Sequence, residues 1–321
     1  MAEKQLELNL GKACNNACVF CSNGNVNRAD RRLLELDLVR HELDQAAQAG
    51  YTALGLLGGE PTLHPDLDAI VRHARDRGFT RVALCTNGRR LRDPARLAAL
   101  VAAGVTRITL SIHSHDPAVA DALCGREGAF AQQIQALENI VSGLAAGTLD
   151  LPEGFAANSC IHGRNVRTLV PLARFLRRLG VRDIRFNYLR PENQAATDPT
   201  LLPRFPAVTR ALEALVVWNE TRGRLQLSFS DLPLCVFPAP FFVNRALFRR
   251  YLGDLRDLDT DVLVFRGLAQ WRDQFQWKQR RTHRLKQKAP VCAGCRVEPA
   301  CEGIWRRYRD LYGDAGIEPV R

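Results

Sequence analysis

The sequence lacks the marks of export and membrane insertion. Its first residues, Met-Ala-Glu-Lys-Gln-Leu-Glu-Leu, hold no basic stretch followed by an apolar one, so no secretory signal is read there. No apolar run approaches the ~18–20 residues that cross a bilayer as a helix. Internal repeats and low-complexity tracts are missing as well, and 46% hydrophobic with 25% charged residues is the make-up of an ordinary globular chain. Acidic residues are short: 34 Asp and Glu face 45 Lys and Arg, a net charge of +11. Much of that excess is local, since 266–288 carries eight Lys/Arg and one acid, Asp273. A solvated basic face is the default reading, and an acidic or phosphorylated partner is the alternative. The ten cysteines fall in two clusters plus singles. Without an export signal, metal binding in a reducing cytoplasm explains them better than disulfides.

The stretch from Ala13 to Asn25 holds the first cluster, Cys14, Cys18 and Cys21, spaced C-x3-C-x2-C. Iron–sulfur clusters usually take four cysteines. Three close thiols with no fourth nearby fit a [4Fe–4S] cluster whose fourth iron stays open for a ligand. That iron could take the amino and carboxyl groups of a small molecule. A zinc knuckle is the alternative, but structural zinc wants four ligands, and no His lies between Met1 and Asp37. The stretch resembles the cysteine motif of the radical S-adenosylmethionine (radical SAM) enzymes. Phe20 stands where that family carries an aromatic residue near the adenine.

Along the chain, strands and helices alternate. Lys4–Leu10 alternates as a strand and ends at the cysteine loop. Leu36–Gly50 reads as a helix, and Thr52–Leu57 as a strand ending in Gly58-Gly59-Glu60-Pro61. Further strands are expected over Arg81–Cys85, Arg107–Ile112, Phe155–Ile161 and Asp183–Leu189. Helices are expected over Asp66–Arg77, from Pro94 to Gly104 behind an Asp93 cap, and over Pro117–Leu123, Ala129–Ala145 and Asn165–Leu179. Six such units imply an α/β fold with a parallel sheet and right-handed crossovers. Beyond Glu192, Leu201–Arg222 reads as one helix and Leu225–Ser230 as a strand, while Pro238–Lys288 resists assignment. Trp271 and Phe275, four apart, read as packing on one helix face, with stacking on a base as the alternative.

The resemblance implies a partial (β/α)6 TIM-like barrel over 1–195, followed over 196–321 by a linker helix and a small auxiliary-cluster domain. In parallel barrels the chemistry sits at the C-terminal strand ends. The cysteine loop, Gly58-Gly59-Glu60-Pro61, Asn87, Ser111, Asn158 and Leu189 all fall at such ends. By resemblance, Gly58–Pro61 is the family's GGEP motif, which binds the SAM amino group, with Glu60 near the ammonium. Asn87, Ser111 and Asn158 match contacts to the SAM carboxylate and ribose, and Leu189 matches a residue packed on adenine. Each also has a plainer reading as a turn, strand-end or core residue.

Cys292, Cys295 and Cys301 are spaced C-x2-C-x5-C. They resemble the auxiliary-cluster region of radical SAM enzymes with SPASM or shorter Twitch domains. Too few cysteines remain for two extra clusters, so one extra [4Fe–4S] cluster is expected, with Cys235 as fourth ligand; zinc is the alternative. Cys85, Cys124 and Cys160 remain, and inert thiols are the default. By resemblance to the superfamily's epimerases, Cys124 is the candidate hydrogen-atom donor, with Cys235 as the alternative if it is not a cluster ligand. His113 reads as a polar contact or a turn residue.

The resemblance implies reductive cleavage of SAM to a 5′-deoxyadenosyl radical that takes a hydrogen atom from a substrate. The expected partners are a low-potential flavodoxin or ferredoxin and a small natural-product or sugar-type substrate, dehydrogenated or epimerised. A peptide substrate is the second expectation. Against it, no leader-binding module is read ahead of the first strand. A nucleoside or RNA substrate rests on charge alone and ranks below both. A non-enzymatic electron carrier is the reading from another class.

Overall fold

The computed structural model describes residues 3–23, 30–253, 258–266 and 271–321. Its core is one nine-stranded sheet in the order β7-β6-β5-β4-β3-β2-β1-β8-β9. The first six strands are β1 (Lys4–Asn9), β2 (Ala53–Leu57), β3 (Arg81–Thr86), β4 (Arg107–Ser111), β5 (Phe155–Ile161) and β6 (Asp183–Tyr188). They lie side by side in chain order, each parallel to the next. The α/β partial barrel expected from the sequence is therefore present.

The sheet reaches further than six units. β7 (Gln226–Ser230) adds to β6 in parallel, and β8 (Asp259–Arg266) adds to the other side of β1. β9 (Trp271–Gln276) closes that edge antiparallel. Trp271 and Phe275 thus lie on an edge strand rather than a helix, because their backbone pairs with β8. The hydrogen-bonded sheet crosses the boundary expected at 195. Among the described residues no pairing joins β7 to β9, so the barrel stays open on that side.

Helices cover the outer face: α1 (Leu36–Gln48), α2 (Leu67–Asp76), α3 (Pro94–Ala103), α4 (Pro117–Cys124), α5 (Ala129–Ala145), α6 (Leu169–Arg178) and α7 (Phe205–Trp218). Local chemistry sets their ends. The Asp93 carboxylate accepts from the Ala95 amide at 2.9 Å, Pro94 opens α3, and Gly104 closes it in the left-handed region. α6 starts at Leu169, later than expected, because the Asn165 side chain ties the preceding turn to the His113 and Cys160 carbonyls. α7 is shorter than the expected 201–222 helix. Pro203 forces Leu202 out of the helical region, and a wide turn over Asn219–Gly223 ends it.

The two faces of the sheet differ in chemistry. Leu6, Leu8, Leu54, Leu56, Val82, Leu84, Ile108 and Leu110 point outward and are buried against the helices. The parallel register puts Glu7, Cys85, Thr109, Ser111, Asn158, Cys160, Arg185 and Asn187 on the inner face. A filled parallel barrel carries bulky branched residues there. This one has a polar, half-accessible lumen. At its N-terminal end the inward-facing Arg107 and Asp183 pair at 2.6 Å, forming a floor.

Candidate active site

The cysteine loop follows β1 and has little regular structure of its own. Neighbours hold it in place. The amides of Gly59 and Glu60 donate to the carbonyls of Gly11 (2.8 Å) and Ala13 (2.7 Å). From the other side, the amides of Ala17 and Val19 donate to the carbonyls of Cys124 (2.8 Å) and Leu123 (3.0 Å) at the end of α4. The buried Arg89 guanidinium donates to the Asn15 carbonyl (2.5 Å) and Asn16 Oδ1 (2.9 Å). Cys14, Cys18 and Cys21 are half-buried and within electrostatic reach of one another. The Asn16 amide points at Cys14 Sγ, 3.4 Å away. Burial pushes the Cys14 thiol up to about 11.

The two glycines serve this loop. A Cβ on Gly59 would lie 2.2 Å from the Ala13 carbonyl oxygen. Gly58, at φ +140°, would bring one within 2.7 Å of Asn9 Oδ1. The Glu60 carboxylate is buried and engaged through both oxygens. Oε1 accepts from the Thr62 amide (3.1 Å), Thr62 Oγ1 (2.5 Å) and Thr86 Oγ1 (2.5 Å), and Oε2 accepts from the Asn87 amide (2.7 Å). It fastens the loop after β2 to the loop after β3, with Pro61 opening a short turn.

Asn87 donates to Asn15 Oδ1 at 2.7 Å and stands 4.0 Å from Cys14 Sγ. Ser111 and Asn158 are register partners on the inner face, and Asn158 Oδ1 accepts from Asn187 at 2.7 Å. Leu189 is buried just past β6. Phe20 stacks on His162 (centroids 5.5 Å apart) and meets His113 edge-on at 4.7 Å. Each histidine accepts an amide hydrogen bond at Nδ1, from Cys160 onto His113 and from Arg164 onto His162. Burial drives them down to about 4 and about 3. Both are neutral at physiological pH.

Cys124, the candidate hydrogen donor, lies where α4 meets the cysteine loop. It is the last residue of α4, buried against the back of the cysteine loop. Its thiol is hydrogen-bonded to Cys18, with the Gln133 amide 4.0 Å away. The thiols that face the lumen are Cys85 and Cys160. Cys85 is reachable by solvent yet surrounded by protein, as befits the wall of a hollow, and burial pushes it up to about 11. The sequence reading missed Arg89, Asn16 and Gln133. Arg89 lies 73 positions from Asn16, and none of the three has a residue type that by itself signals a site.

Cys235, Cys292, Cys295 and Cys301 line one small hollow, walled also by Pro233, Ile304 and Ile317. Backbone amides point at its sulfurs: Leu234 and Gly303 at Cys301 (3.4 and 3.3 Å) and Val320 at Cys295 (3.3 Å). Burial first, then the other three thiols, pushes Cys235 up to about 12. Such a cage, rich in amide donors to sulfur, fits an anionic sulfur-ligated group. Among the described residues no three His, Cys, Asp or Glu side chains converge tightly enough to hold one ion.

Residues 8–144 match the model of the Radical SAM superfamily. A PqqA peptide cyclase of Ruegeria pomeroyi is 33% identical over 225 residues, covering 68% of this chain and 56% of that protein. A GTP 3′,8-cyclase of Synechococcus elongatus is 39% identical over 142 residues, 43% of this chain and 42% of that one. The chain spans about half the length of the curated relatives it matches. Among solved structures, anSMEcpe with bound AdoMet superposes with a TM-score of 0.66 at 14% identity, over 99% of this chain and 93% of that one. Streptococcus suis SuiB bound to S-adenosylmethionine gives 0.64 at 16%, over 97% and 74%. Those two likenesses concern the fold. The chain is an α/β protein with the partial barrel of this enzyme class. Residues 8–144 form a radical SAM domain. The cofactors of the superfamily are a [4Fe–4S] cluster and S-adenosylmethionine.

Proposed function

We propose that the chain is an enzyme that cleaves S-adenosylmethionine reductively and draws a hydrogen atom from a substrate in the barrel lumen. One observation carries this reading. Three thiols sit on a loop pinned between the Gly58-Gly59-Glu60 turn and the end of α4, at the C-terminal ends of parallel strands. Cys14, Cys18 and Cys21 would hold the cluster. When bound, the reduced cluster and SAM would supply a 5′-deoxyadenosyl radical. The protein positions and shields. Glu60 locks two loops together, Arg89 places a positive charge behind the cysteine loop, and Phe20 with its two neutral histidines walls the adjoining space. Cys235, Cys292, Cys295 and Cys301 would hold a second cluster within 196–321. A low-potential flavodoxin or ferredoxin would reduce the enzyme, and ten unpaired thiols suit a reducing cytoplasm.

For the substrate we put a peptide first. The likenesses to PqqA peptide cyclases reach over 68% and 60% of this chain, somewhat further than those to GTP 3′,8-cyclases, which cover 43% to 59%. This reverses the order the sequence suggested. A small polar molecule, dehydrogenated or epimerised, is the second reading, favoured by the hydrophilic lumen.

The test is anaerobic incubation of iron-loaded protein with SAM and dithionite. We expect 5′-deoxyadenosine and methionine, and neither from Cys14→Ala, Cys18→Ala or Cys21→Ala. Iron-loaded wild-type protein that leaves SAM intact would sink the reading.

A further inference from the structure

Past the end of β6, the chain presents one cation to the lumen whose donors find no hydrogen-bond partner among the described residues. Arg190 follows Leu189 and is half-buried, its side chain 40% exposed. Its guanidinium lies over the Trp277 ring, 4.3 Å from the centroid. Its nearest carboxylate is Asp231, at 3.5 Å from Nε, just past the end of β7. That carboxylate is already held by Arg281 at 3.0 Å, in a site where both side chains are buried. Arg281 and Lys286 in turn grip Glu302, next to the auxiliary-motif Cys301. Arg190 is thus the lumen-side end of a charged chain running back toward the second cysteine hollow. It is also within electrostatic reach of Cys85 and Cys160 on the inner wall.

A solvated surface arginine is normally mobile. This one is held flat by an indole on one side and oriented by a carboxylate it only grazes. A guanidinium offers five donors in a rigid fork that matches an oxyanion. A stacked, pre-oriented fork loses little freedom when it binds one.

We propose that Arg190 recognises the substrate: it receives an oxyanion, carboxylate or phosphate, with Trp277 as its platform and Asp231 as its brace. This rests on the lumen being the substrate site, and it narrows the substrate to one bearing an acidic group near the reacting carbon. In a peptide that group is a carboxylate, and in a nucleotide or sugar phosphate it is a phosphate.

The test needs no turnover. Anaerobic holoenzyme with SAM bound is titrated by calorimetry with a terminally blocked Gly-Glu-Gly tripeptide and, separately, with inorganic pyrophosphate. In parallel, phenylglyoxal labelling of arginines is mapped by mass spectrometry. We expect at least one probe to protect Arg190 while the exposed Arg174 stays labelled, and to bind at least tenfold more weakly to Arg190→Gln. Arg190→Lys, which keeps charge but loses the fork, should fall between. Protection by the tripeptide alone assigns a carboxylate substrate, and by pyrophosphate alone a phosphate. The proposal falls if neither probe protects Arg190, if Arg190→Gln binds both as wild type does, or if SAM alone gives the protection. Should Arg190→Gln not fold, the labelling of wild-type protein still decides. Loss of SAM cleavage in wild-type protein would count against the enzyme reading, and leaves this titration standing.

Discussion

The amide nitrogen of Glu60 lies 2.7 Å from the carbonyl oxygen of Ala13, the residue before the first motif cysteine. With the bond from the Gly59 amide to the Gly11 carbonyl, it ties the glycine turn after β2 to the cysteine loop after β1. The contact is so close that Gly59 has no room for a side chain. Gly59→Ala should therefore push the two loops apart, costing about 1–3 kcal/mol in stability. It should also lower iron retention after reconstitution. Unchanged melting and full iron content would show that the loops do not depend on each other.

Acid should weaken the protein through His113 and His162. Both are neutral in the folded state and fall to about 4 and about 3 through burial. Unfolded, each would titrate near 6.5. As pH drops below that value the unfolded chain gains protons the folded chain refuses, so stability present above pH ~6.5 declines toward pH 4. Each group contributes about 1.4 kcal/mol per pH unit in that window. Urea midpoints at pH 7 and pH 5 test this, and a His162→Phe variant should show a shallower decline. A flat profile in the wild type would contradict it.

The second cysteine hollow predicts an iron count. Wild-type protein should hold about eight irons per chain, and Cys235→Ala or Cys292→Ala about four. Iron and sulfide assays with zinc analysis decide it. One zinc per chain and no second sulfide set would replace the cluster with a metal ion.

Cys124, packed beside Cys18, predicts a redox effect. With the Cys18 sulfur on iron, the neighbouring Cys124 thiol would donate its own hydrogen to that ligand sulfur. Hydrogen bonds to sulfur raise cluster potentials. Cys124→Ala should make the N-terminal cluster harder to reduce while retaining its iron. A redox titration followed by electron paramagnetic resonance measures this, and an unshifted midpoint would leave the thiol with packing alone.

Much of the frame was legible in residue order. β1 to β6 announce themselves because outward Leu, Ile and Val alternate with inward polar residues, and because Gly and Asp-Pro punctuate the helices. β8 and β9 were not legible. β9 is an edge strand of Trp, Arg, Asp and Gln, and its strand character comes from pairing with β8. The cysteine spacings were visible, as was the Gly-Gly-Glu turn. The clamp around them was not. Arg89 reaches Asn16 from 73 positions away, and Cys124 meets Cys18 only because a helix end happens to pack there. Glu60 shows the limit most clearly: its motif is plain to see, but only the structure reveals four donors from three residues on its carboxylate.

The barrel keeps its greasy side outward, beneath the helices, and its hydrophilic side around a void. Cohesion and selectivity therefore depend on separate sets of side chains. Exchanging Thr109, Ser111 or Asn187 for other polar groups disturbs little packing, so the pocket can be re-lined for new guests while the shell that keeps the chain folded stays as it is.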